Sequence, residues 1–86
     1  MTAVIIIDID LKLCFANAAA EQLLGVSSHR LTEHFLTDNV RILGASLDLL
    51  TSSIKDNQGL TINTASLVTS DNHHHTDDLT LTPLEQ

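Results

Sequence analysis

Phe15-Ala16-Asn17-Ala18-Ala19-Ala20-Glu21-Gln22-Leu23-Leu24-Gly25 carries the change of periodicity that decides the fold. Ahead of Asn17, Leu11, Leu13 and Phe15 alternate with Lys12, Cys14 and Ala16, the period of a half-buried strand with one oily face. Asn17 breaks that period. Its short amide accepts a backbone N–H two or three residues ahead, which caps a helix. The alanines that follow favour helix because ordering costs them no side-chain entropy. Ala20, Leu23 and Leu24 stand at i, i+3 and i+4 and make one apolar face, with Glu21 and Gln22 turned to water. Gly25 takes the left-handed conformation that closes a helix. The stretch predicts a strand-to-helix corner whose structural residues are Asn17, Leu23 and Gly25.

Upstream of the corner, Ala3-Val4-Ile5-Ile6-Ile7 is β-branched and apolar without alternation, the pattern of a central strand covered on both faces. Asp8-Ile9-Asp10 supplies turn formers, so residues 11–16 return antiparallel as a hairpin. Two carboxylates in a tight turn read as solvated turn residues in preference to metal ligands.

Downstream, Ser27 and Ser28 are available to cap a short helix through Leu31. Residues 32–39 hold another turn, with Leu31, Phe35 and Leu36 expected to face inward. His29 and His34 are five apart, a spacing that does not share a helix face, and read as structural or surface histidines. The clearest helix follows: Leu43, Leu47, Leu50 and Ile54 repeat at helical spacing with Leu49 beside them. Ser46 caps it, Asp48 and Lys55 suit the two ends of its dipole, and Asn57-Gln58-Gly59 ends it. Ser52, Ser53 and Asp56 cover its outer face. From Leu60 to Thr69 a strand pattern runs with a register shift near Asn63. Ser70-Asp71-Asn72 marks a turn, and Leu79-Thr80-Leu81-Thr82 alternates as a second strand that frays at Pro83 or has an exposed edge there. Strands at both ends with helices between them predict an α+β fold, an antiparallel sheet with short helices on one face.

Asn17-x-Ala19-Ala20-Glu21-x-Leu23-Leu24-Gly25, straight after a hydrophobic hairpin, resembles the start of the first helix of a PAS domain. Members more often carry proline where this chain has Ala18; proline is dispensable there, since that N–H has no intrahelical partner. Ile5-Ile6-Ile7-Asp8-x-Asp10-Leu11, Phe15-Ala16-Asn17, Ser27-Ser28-x-x-Leu31 and Asp56-Asn57-Gln58-Gly59-Leu60-Thr61 are further similar to the N-terminal domains of nitrogen-regulation sensor histidine kinases of Gram-negative bacteria. The segment after Gly59 agrees less well. The resemblance implies a single PAS domain over residues 1–86 in which a last strand, lying between the first strand and the final hairpin, is missing from the chain. It also implies a non-catalytic regulatory module, acting in dimerisation and intramolecular signal transmission for a kinase whose catalytic residues lie outside these positions. The implied partners are a second copy, the kinase domain of the same chain and, through it, a response regulator. The dimer contact it implies involves the residues around Met1 to Val4 and the outer sheet face.

Composition narrows the partners. Net charge is −7, with only Lys12, Arg30, Arg41 and Lys55 positive, so a nucleic acid or an anionic membrane would be repelled. Cys14 is the single cysteine, which excludes an internal disulfide and fits a reducing compartment. The longest apolar run, residues 3–7, is far too short to span a bilayer, and a soluble cytoplasmic domain is expected. At 86 residues the chain buries only about 60–65% of its unfolded surface, so a partner surface would help it fold.

No cofactor or catalytic residue is expected. Haem-binding PAS domains usually take a histidine from the long helix, and residues 43–58 contain none. The Asn-Cys-Arg-type motif of flavin-binding light sensors is absent, and Cys14 reads as an inert buried thiol on a strand. The glycines are isolated, so there is no phosphate loop, and nothing places the members of a Ser/His/Asp triad. His73-His74-His75-Thr76-Asp77-Asp78 is the one cluster with ligand chemistry. On an extended chain only His73 and His75 share a face, with Asp77 following, and these are the candidate metal ligands. A solvated hairpin loop is the favoured account. Ligand-binding residues are left unassigned. Two alternatives stay open: a PAS domain sensing a small apolar ligand between helices and sheet in another signalling protein, and a small metal-binding protein built on His73–His75.

Overall fold

The computed structural model describes residues 2–44 and 46–84. Five strands form one sheet: β1 (Ala3–Ile7), β2 (Leu13–Ala16), β3 (Val40–Ile42), β4 (Leu60–Thr69) and β5 (His74–Pro83), in the order β2-β1-β5-β4-β3. Between the strands lie α1 (Ala18–Leu24), a 3₁₀ turn (Ser28–Glu33), α2 (Leu36–Asn39) and α3 (Leu47–Lys55). Ile5, Ile7, Leu13, Leu67, Leu79 and Leu81 meet Leu23, Leu24, Leu31, Leu36, Leu50 and Ile54 in one buried cluster, so the helices cover one face of the sheet. The α+β class and the PAS-like sheet are therefore as expected.

The sheet is mixed and not wholly antiparallel. β5 lies directly against β1 and runs parallel to it, with Ile5 opposite Leu81, while every other neighbouring pair is antiparallel. The strand expected between the first strand and the final hairpin has no counterpart among the described residues. That expectation is corrected: β5 itself stands directly beside β1 from Ala3 to Ile7, so no place is vacant between them, and the fifth strand of the sheet is β3 at the far edge, paired with β4.

The remaining differences have local causes. Residues 40–42 carry no assignment in the sequence reading; Val40 and Ile42 are buried and Arg41 is exposed, a strand of three residues pairing with Leu67–Thr69. Alternation over so short a run is indistinguishable from helical spacing. Leu43 consequently lies outside α3 and is exposed, as is Leu49 on the helix itself. Phe15 was assigned to the oily face of β2, yet it is 47% exposed. A bulge explains this: Ile6 pairs with Phe15 and Ile7 with Leu13, so Cys14 has no opposite number and the facing inverts beyond it. Phe35, also expected inside, is exposed beside Lys12, while Leu31 and Leu36 are buried. Pro83 does not fray; it ends β5 opposite Ile7 and is buried.

Candidate functional site

The α1 corner is built by one side chain. Asn17 Oδ1 accepts hydrogen bonds from the Ala20 N–H at 2.9 Å and from the Val4 N–H at 3.1 Å. Its Nδ2 donates to the Thr2 carbonyl at 2.9 Å, and its own N–H donates to the Val4 carbonyl at 3.0 Å. A capping residue here also pins the start of β1, which sequence spacing does not reveal. Gly25 closes the helix at φ 69°, its N–H donating to the Glu21 carbonyl. Leu23 and Leu24 are buried beneath the helix, each contributing about 1.5–3 kcal/mol by leaving water.

A groove of about 350 Å³ runs between α1 and the start of β5, lined by Ala19, Gln22 and Leu23 on one side and His75, Thr76 and Asp77 on the other. His75 and Asp77 sit opposite Leu67 and Ala65, whose side chains are buried, so both occupy the helix side of the sheet. His74 is opposite Val68 and belongs to the other side. His73 precedes β5, its Nδ1 3.0 Å from Asp71 Oδ2, and the Thr69 hydroxyl donates to the same aspartate. That hydroxyl holds the Asp71 carboxyl below its ordinary range, helped by the charge of His73. The metal candidates are thus divided: His75 and Asp77 share a groove with Gln22, and His73 turns to Asp71. Among the described residues no three His, Cys, Asp or Glu side chains are grouped to hold a metal ion.

Cys14 is half-buried, its Sγ donating to the Lys12 carbonyl at 3.6 Å. Burial, then the charge of Asp8, pushes its thiol up from the ordinary value, the reverse of what a nucleophile needs. Asp8 is occupied by its turn, accepting from the Asp10 and Lys12 N–H groups at 2.9 Å. His29 is exposed and His34 half-buried, on opposite ends of the 3₁₀ turn. No helix of the described residues is long and apolar enough to cross a membrane.

The outer sheet face offers a surface in place of a reactive centre. Ile6 pairs with Phe15 on one side and with Thr82 on the other, and Val4 with Thr80, giving a patch of apolar and threonine side chains. At its rim Ile6, Asn57, Gly59, Thr82, Pro83 and Leu84 line an open depression of about 370 Å³. Phe15 belongs to this patch only because of the β2 bulge, a feature with no sequence signal.

Comparison with known proteins agrees with the geometry. The PAS domain family matches residues 1–63. The chain is similar to the PAS domain of nitrogen regulation protein NR(II) from Vibrio parahaemolyticus, seen in a crystal structure. The TM-score is 0.64 and the identity 26%, over 93% of this chain and 72% of that one. No curated protein matches the chain. On the family match and the shared architecture, this chain belongs to the PAS domain family.

Proposed function

We propose that this PAS domain is the regulatory module of a cytoplasmic sensor histidine kinase for nitrogen regulation, holding two chains together and passing a change of sheet packing to the kinase core. The observation that supports it most is the likeness to the nitrogen regulation protein's PAS domain over 93% of this chain. The outer face with Val4, Ile6 and Phe15 is the proposed dimer contact, because a two-fold pairing there would cover apolar side chains that water now reaches. The kinase domain and its response regulator are the further partners.

Sedimentation equilibrium tests the proposal. The domain should dimerise at tens of micromolar, and Phe15→Asp should leave a folded monomer. A wild-type monomer persisting at hundreds of micromolar would sink the dimer reading.

A further inference from the structure

β4 is ten residues long, but its outer edge is only partly paired. β3 covers Leu67–Thr69, and the Leu43 N–H donates to the Ser66 carbonyl at 2.9 Å. Among the described residues nothing pairs with the outer side of residues 60–65. Which groups face outward follows from the register. The Thr69 N–H donates to the His73 carbonyl, so Thr69, Leu67 and Ala65 turn their backbone to β5 and Ser66 turns away. The bulge between Ile62 and Ala65 shifts this parity; Leu60 and Ile62 oppose Leu81 and Leu79, and Thr61 and Asn63 present their N–H and C=O groups to the open side. The bulge is satisfied inward, where the Thr64 N–H donates to Asp78 Oδ1 at 2.8 Å.

Natural edge strands are blunted by charges, proline or bulges, and in β4 the bulge between Ile62 and Ala65 leaves Thr61 on the regular stretch ahead of it. Charge and proline are the other devices. Here residues 57–70 contain neither, although the whole chain carries a net charge of −7. Thr61, Asn63 and Thr64 are exposed along this uncharged, β-prone stretch. β3 itself shows what the edge accepts: a short extended segment held antiparallel by its backbone.

We propose that residues 60–65 are a docking edge for an extended peptide segment of another protein. The segment adds antiparallel to β4 in line with β3, exchanging backbone hydrogen bonds with Thr61 and Asn63. Main-chain pairing sets the fit, and the net negative charge of this chain selects a segment without acidic residues.

The test uses a short synthetic probe alternating threonine and valine with a lysine at each end, titrated into the isotopically labelled domain. Saturable amide shifts should centre on Thr61 and Asn63, whose hydrogen exchange should slow by about tenfold or more on binding. The same probe with N-methylated inward-facing amides should not bind, nor should the native probe bind Thr61→Pro, which loses an outward N–H. Shifts centred on the outer sheet face or the α1 groove, or equal binding of the N-methylated probe, would overturn the proposal. So would edge signals that already move with protein concentration alone, since a second copy would then occupy the edge. Dimerisation through Phe15 is read separately by sedimentation, so the two ideas fail independently.

Discussion

The α1 corner and the far end of the β4–β5 hairpin are both places where the chain reverses, and they are held by different physics. At the corner the Asn17 side chain bonds three backbone groups, one each in Thr2, β1 and α1, besides donating its own N–H, and four residues of the helix are buried. At the hairpin end His73, His74, His75 and Thr76 are exposed, the Asp71–His73 pair is mostly in water, and Thr64 holds a positive φ of 54°. The corner couples local capping to burial, so each side chain there acts on the whole fold. The hairpin end is a set of solvated local contacts, each worth little on its own.

The sharpest way to break the contrast is Leu23→Ala, which opens a cavity under α1 and should destabilise the domain by about 2–5 kcal/mol in chemical denaturation. Stability equal to wild type would mean the helix face is not part of the core. Asn17→Ala should cost about 1–2 kcal/mol, as it removes a cap and leaves the Val4 N–H and Thr2 carbonyl without that partner. A loss of a few tenths only would show that the corner is held by burial alone.

On the hairpin side the expected sign is opposite. Thr64→Asn should stabilise by about 0.5–1 kcal/mol, since a β-branched residue at positive φ is strained and asparagine tolerates that conformation. A destabilised variant would mean that the bulge needs the threonine. The smallest effect belongs to the histidines: replacing His73, His74 and His75 together by serine should move thermal stability by less than about 0.5 kcal/mol. Stoichiometric zinc binding lost in that variant would instead revive a metal role. Asp71 supplies a pH arm. Its folded carboxyl is held below the ordinary value, so its contribution is present above that value and is lost as pH falls through the folded one. Thr69→Val should weaken that acid-side dependence, leaving what His73 and the local backbone N–H groups supply, and an unchanged profile would exclude the hydroxyl as its main source.

Much of the corner was legible because its signals are local. The cap, the alanine run, the spacing of Leu23 and Leu24, and Gly25 all act within a few residues, and each appears where it was expected. The register shift near Asn63 was legible too, because the apolar positions change parity there from Leu60 and Ile62 to Ala65 and Leu67. Of the metal candidates, the pattern foresaw that alternate residues share a side, but it chose His73 with His75 when the strand begins only at His74. The groove with Gln22 had no sequence signal, since its walls are more than fifty residues apart.

The sequence by itself determined the first hairpin, the strand-to-helix corner, the long helix, the last two strands, the net negative charge and the resemblance to PAS domains, because each rests on neighbours along the chain or on composition. Only the tertiary structure decided the facing of Phe15, the existence of β3 and the parallel meeting of β1 with β5. A bulge in one pairing turns Phe15 outward, β3 is too short to form without β4 beside it, and strand direction across β1 and β5 depends on which strand stands next to which. These are properties of pairs of distant segments, and hydrophobic spacing along one segment carries no information about its partner's register.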